Sequence, residues 1–114
     1  ARAAALGRRL SMLELEVQAE VDKFASLVLH GWPSLQAGPA RELHARLFRD
    51  VSYRPGLAPE EHARYVEANR LGALFTARLL AHVVARRLDR LLEALRYAYR
   101  LGAEAKLQHL ARAG

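Results

Sequence analysis

The sequence predicts an all-α fold, a single-domain bundle of four to five helices with one long C-terminal helix. Two observations predict it: apolar residues recur every three or four positions along most of the chain, and no run alternates between apolar and polar residues. The chain has 114 residues, of which 52% are hydrophobic, enough for one modest core. We therefore expect residues 1–114 to form one helical-bundle domain.

The first helix is marked by a capping signal and an apolar stripe. Ser11 and Glu14 have the spacing of a capping box, which predicts a helix start. Residues 2–9 are compatible with a further turn or two, although Gly7 weakens that prediction. The stripe consists of Leu10, Leu13, Val17, Val21, Phe24 and Val28. Gly31, followed by Trp32 and Pro33, predicts the end of the helix.

Two shorter helices follow. Pro39 suits the first position of a second helix, whose apolar stripe is Ala40, Leu43, Leu47 and Val51. Residues 53–56 contain Pro and Gly and predict a turn. Pro59 then opens a third helix with two glutamates in its first turn.

The pattern from residue 71 to residue 113 predicts the long C-terminal helix. One face would carry Ala77, Ala81, Val84, Leu88, Leu91, Leu95 and Tyr99, and the first half has a second apolar line at Leu71, Phe75, Leu79 and Val83. If the third helix ran straight on, Arg70 would project into that face, so we expect Gly72 to mark a break or bend. Gly102 is expected to kink or end the long helix, leaving a short final helix with Leu107 and Leu110 facing inward.

The charge is basic and unevenly distributed. Eighteen Lys and Arg against 12 Asp and Glu give a net charge of +6, and the excess lies in residues 1–10 and 70–114. This balance predicts an acidic partner, either nucleic acid or an anionic surface. No apolar run reaches about 18 residues, so we expect a soluble, cytoplasmic protein without a membrane partner.

Arginines cluster on one face of the predicted long helix. The candidate nucleic-acid-binding residues there are Arg78, Arg86, Arg87, Arg90, Arg96, Arg100 and Tyr97, and Arg8 and Arg9 form a candidate second contact. A guanidinium donates two parallel hydrogen bonds to phosphate, and a tyrosine can stack on an unpaired base. The alternative interpretation is a solvated helix face in an Arg-rich protein.

Signals for catalysis or for a metal are weak. The chain has no Cys, which excludes disulfides and thiol chemistry, and its five His lack the spacing of helical metal sites. We therefore predict no enzyme, no cofactor and no metal. Arg78 and His82 resemble the Arg–His pair of small helical ribonucleases of the HEPN type, but three residues separate them where that family has four to six. A nuclease is thus a minor alternative.

The small size, the all-helical pattern and the basic surface together resemble the small helical subunit of multisubunit CRISPR effector complexes. This resemblance implies a non-catalytic, sequence-tolerant subunit that contacts RNA or single-stranded DNA beside other protein subunits, including further copies of itself. The alternative is a helical ligand-binding or dimerisation domain, similar to the C-terminal half of TetR-like regulators. The doubly apolar segment at residues 71–84 favours that alternative.

Overall fold

The computed structural model describes residues 2–49 and 51–112, and the side chains of residues 4–49 and 51–112. Five helices are present: α1 (Arg2–Gly31), α2 (Ala37–Phe48), α3 (Pro59–Val84), α4 (Leu88–Arg100) and α5 (Ala103–Leu110). No strand occurs in the described residues. One cluster of buried side chains joins all five helices, so the predicted all-α bundle of four to five helices is confirmed.

Helix α1 begins earlier than its capping signal predicted. It is helical from Arg2, and Ser11 is an exposed residue in its interior, so the predicted start at Ser11 was wrong. The preceding residues are mostly Ala, Leu and Arg, which favour helix over other structure and extend it upstream. The predicted stripe is confirmed from Val17 to Val28, which are fully buried against the other helices.

Gly72 lies inside α3 and does not interrupt it, which corrects the predicted break. The glycine marks a close approach of α1 and α2 to α3. A Cβ atom at this position would lie 2.9 Å from the Cβ of Glu20 and 3.3 Å from the ring of Phe48. The missing side chain therefore allows the three helices to pack closely, at the modest helix-propensity cost of a glycine.

A polar contact beside Gly72 joins α2 to α3. The Thr76 hydroxyl donates to the carbonyl of Gly72 at 2.6 Å and lies 2.8 Å from Nε2 of His44. The His44 ring packs against Phe24 and Phe48, with ring centroids 5.3 and 5.0 Å apart. Burial lowers the pKa of His44 below its ordinary value, so this imidazole is neutral at pH 7.

The predicted long C-terminal helix is divided into α3, α4 and α5. Helix α3 ends at Val84, and Arg86 in the following turn has a φ of 60°. Its guanidinium donates to the carbonyls of Leu35 at 2.8 Å and Pro33 at 2.5 Å, and it lies 4.4 Å from the ring centroid of Trp32. These contacts hold the turn against the α1–α2 loop, and α4 starts in a new direction at Leu88.

The break changes which apolar residues form the core. In α3 the second apolar line is buried, namely Leu71, Phe75, Leu79 and Val83. Ala77 and Ala81, predicted on the core face, are exposed, and Tyr99 is also exposed. The predicted face assumed one continuous helix and was wrong at both of its ends, whereas Leu91 and Leu95 in its middle are buried as predicted.

Helix α5 begins after Gly102 with Leu107 and Leu110 buried, as predicted. It is held to α1 by a buried cation: Lys106, 3% exposed, donates from Nζ to Glu14 at 2.7 Å and also to Gln18. We call these three residues the α1–α5 clasp. Removing Lys106 from water is costly, and the bonds to Glu14 and Gln18 offset that cost.

The end of α4 is also fixed to α1. The Tyr99 hydroxyl donates to the carboxylate of Asp22 at 2.5 Å. Burial, and then this bond to Asp22, raise the pKa of Tyr99 to about 12. The phenol therefore stays protonated at physiological pH and keeps its donor role.

We predict that Gly72→Ala destabilises the fold by about 1–3 kcal/mol, because the added methyl group collides with the Cβ of Glu20. Gly7→Ala is the matched control, since nothing lies within 4 Å of a Cβ there. It should stabilise α1 by roughly 0.5–1 kcal/mol. Urea unfolding followed by circular dichroism measures both. Equal free energies of unfolding for the two variants would contradict the close approach at Gly72.

We predict that Arg86→Ala lowers the free energy of unfolding by about 1–2 kcal/mol, since two charge-assisted hydrogen bonds and a cation–π contact are lost. Arg87→Ala should leave the free energy of unfolding nearly unchanged, because the neighbouring Arg87 makes only an exposed pair with Asp89. Chemical denaturation of both variants is the measurement. If Arg87→Ala lowers the free energy of unfolding more than Arg86→Ala does, the contacts of Arg86 do not stabilise the turn.

Candidate nucleic-acid interface

A cleft of about 720 Å³ lies between α3, α4 and α5. Its apolar lining is Leu74, Phe75, Ala77, Ala81 and Ala94, and its polar lining is Arg78, His82, Arg90, Glu93, Tyr97, Arg100 and His109. We call it the basic cleft, since three arginines and one glutamate leave it with excess positive charge. Four of the nine predicted site residues line it: Arg78, Arg90, Tyr97 and Arg100.

The turn at Arg86 creates this cleft. On a continuous helix, Arg78 would share a face with Arg90 and Arg100. In the structure α4 instead folds back beside α3, so these residues lie on opposite walls. The His109 ring on α5 contacts both α3 and α4. Its centroid lies 5.9 Å from that of Phe75 and 4.8 Å from that of Tyr97.

His109 and Arg78 lie in contact in the lining of the cleft. Arg78 Nη2 lies 3.3 Å from Nε2 of His109, and its Nη1 donates to the carbonyl of Arg112 at 3.3 Å. Burial lowers the pKa of His109, and the nearby charges of Arg78 and Arg112 lower it further. The imidazole is therefore neutral at pH 7, and its Nε2 accepts from the guanidinium, which can only donate.

Arg78 also lies over an aromatic ring, with its guanidinium carbon 4.9 Å from the centroid of Phe75. Burial lowers the pKa of Arg78, although an arginine remains charged at any physiological pH. The side chain is thus a fixed positive charge, oriented by the Phe75 ring and by His109.

The other predicted site residues lie elsewhere. The guanidinium of Arg86 is occupied by the α1–α2 loop, and Arg87 pairs with Asp89 at 2.9 Å. Arg96 is exposed on α4 outside the cleft lining, and the exposed residues Arg8 and Arg9 lie on α1.

The sequence patterns did not predict that His109 and two alanines on α3, Ala77 and Ala81, line the cleft. His109 was one of five histidines without a motif, and only the reversal of α4 brings it beside Tyr97. Ala77 and Ala81 were placed in the core, because their spacing from Val84 and Leu88 suggested one stripe. No local signal in the sequence separates an alanine that lines a cleft from an alanine in a core.

The described residues contain no group of three His, Asp or Glu placed to hold a metal ion. Within residues 2–49 and 51–112, no helix combines the length and the apolar character needed to cross a bilayer. His82 lines the cleft together with Arg78, but the polar contacts of Arg78 are with His109 and the Arg112 carbonyl. No hydrogen bond between Arg78 and His82 therefore supports the nuclease alternative.

Comparisons of the chain with protein-family models, with curated proteins and with solved structures found no match. The similarity to the small helical subunit of CRISPR effector complexes therefore stays a prediction from size, helical pattern and charge. Functional interpretation rests on the shape and chemistry of the basic cleft.

Proposed function

We propose that the chain is a non-catalytic, sequence-tolerant binding subunit for RNA or single-stranded DNA within a larger ribonucleoprotein assembly. One observation carries the proposal. The basic cleft gathers arginines from two helices around an exposed tyrosine and an apolar floor. Single-stranded nucleic acid presents the matching chemistry, a phosphate backbone with aromatic bases free to stack.

Two of the cleft arginines are available to phosphate. Arg90 and Arg100 are exposed, and neither takes part in an ion pair within the described part of the chain. Glu93 is the one acidic residue in the lining, so the local balance favours an anion. Binding through these groups would release counterions and would weaken steeply as salt rises.

Tyr97 supplies a surface for a base. The residue is 47% exposed, and its ring stands at 72° to the ring of His109. This edge contact orients Tyr97 while much of its surface stays open to solvent. A base can stack on such a ring whatever its identity, which supports sequence-tolerant binding.

We predict that the double variant Arg90→Gln/Arg100→Gln weakens binding of an oligothymidylate. Each lost phosphate contact should lower the slope of log affinity against log salt by about 0.7, so the pair should lower it by about 1.4. Fluorescence anisotropy at several salt concentrations gives the slope.

The matched control for this titration is Arg41→Gln/Arg46→Gln, which removes the same charge from exposed positions on α2. We expect it to keep the parent slope. If both double variants lose affinity equally, net charge alone explains the binding and the cleft has no part in it. If the parent protein binds no oligonucleotide, the proposed function is wrong.

A second candidate function is a ligand-binding domain similar to the C-terminal half of TetR-like regulators. The specific observation in its favour is the apolar part of the cleft lining, with Leu74 and Phe75 beside three alanines. An apolar cleft with a few arginines also suits an amphipathic organic anion.

Thermal unfolding separates the two candidates, since a ligand that binds only the folded state raises Tm. We expect an oligothymidylate, and not decanoate, to raise the Tm of the parent protein. Arg90→Gln/Arg100→Gln should lose that rise. If decanoate raises the Tm and the oligothymidylate does not, the function is ligand binding and not nucleic-acid binding.

A further inference from the structure

We infer that the basic cleft receives an unstacked nucleobase in a slot lined by Ala77, Ala81 and Ala94, with Tyr97 against the base and the phosphates on Arg90 and Arg100. This inference rests on the proposed function and specifies how the strand would be bound. The phosphates would contact charged side chains at the rim of the cleft, and the base would stack inside it.

The slot exists because the side chains on both walls are small. Ala77 and Ala81 face it from α3, one helical turn apart, and Ala94 faces it from α4. The two alanines on α3 are exposed, although their helix is otherwise packed along Leu71, Phe75, Leu79 and Val83. Larger apolar residues at these positions would close the gap between α3 and α4.

The chemistry of the slot suits a base better than a phosphate. Alanine methyl groups offer no hydrogen-bond donor to an anion, so a phosphate placed there would lose its hydration without replacement. A planar base can bury its faces against these groups and against Tyr97. The charged backbone then lies at the mouth, where Arg90 and Arg100 are exposed.

Arg78, beside the alanines of the slot, carries a donor group that every base can use. Arg78 makes two long hydrogen bonds, both 3.3 Å, to His109 and to the Arg112 carbonyl. A guanidinium has five N–H donors, so others remain for an oxygen or ring nitrogen at a base edge. All four bases present such acceptors, so the contact does not select a sequence.

The test compares an oligothymidylate with an abasic oligonucleotide of the same length, which has the same phosphates and no bases. We expect the parent protein to bind the first roughly tenfold or more tightly, the effect of at least one stacked base. Ala81→Leu fills the slot without changing charge, and it should bind both probes with the lower, abasic affinity. Ala63→Leu, at an exposed position of the same helix, should keep the parent preference.

A second pair of variants keeps the test decisive if Ala81→Leu fails to fold. Tyr97→Ala should lose the preference for the base-containing probe, and Tyr97→Phe should keep it, because stacking needs the ring and not the hydroxyl. Equal affinity of the parent for both probes, or a preference that survives Ala81→Leu and Tyr97→Ala, would overturn base insertion and leave phosphate binding intact. If the parent protein binds neither probe, the proposed function and this inference are both wrong.

Discussion

The site depends on the contact between Arg86 and the loop that joins α1 to α2. A left-handed backbone at a residue with a side chain costs about 1–2 kcal/mol, so an arginine adopts it only where other contacts offset the cost. Here two carbonyls and the Trp32 ring hold the guanidinium. The resulting turn reverses α4 and converts a basic helix face into two walls of a cleft.

The walls of the cleft are held by bonds to α1 as well as by their contacts with one another. Gly72 lets α3 pack closely on α1, Tyr99 ties the end of α4 to Asp22 of α1, and Lys106 joins α5 to α1 through Glu14. Because each wall has its own attachment to α1, the space between them need not be filled to hold the helices in place. This arrangement explains how a small bundle can keep an open apolar slot.

The sequence predicted the elements well and their connections poorly. The buried stripe of α1, the start of α3 at Pro59 and the start of α5 after Gly102 follow from local periodicity and from residues that begin or end helices. The turn at Arg86 could not be predicted, because residues 85–87 favour helix by propensity and their partners are some 50 positions away.

The misplaced features have the same origin. Gly72 was expected to break or bend the helix because Arg70 would otherwise project into the apolar face, but the role of Gly72 comes from Glu20 and Phe48 on other helices. For the site, composition and helical spacing identified Arg78, Arg90, Tyr97 and Arg100 as a group. The alanine slot and His109 depend on how α3, α4 and α5 meet, and a single helical wheel contains no such information. The α1–α5 clasp has a related consequence for folding: α5 has eight residues, too few to stay helical alone in water, and Lys106 and Glu14 lie 92 positions apart. The hydrogen bonds of Lys106 therefore close nearly the whole chain into a loop, an arrangement whose entropic cost rises with loop length. The helix that carries His109 is held by these bonds and by its packing on α3 and α4, so the cleft depends on a contact between residues near the two ends of the described chain.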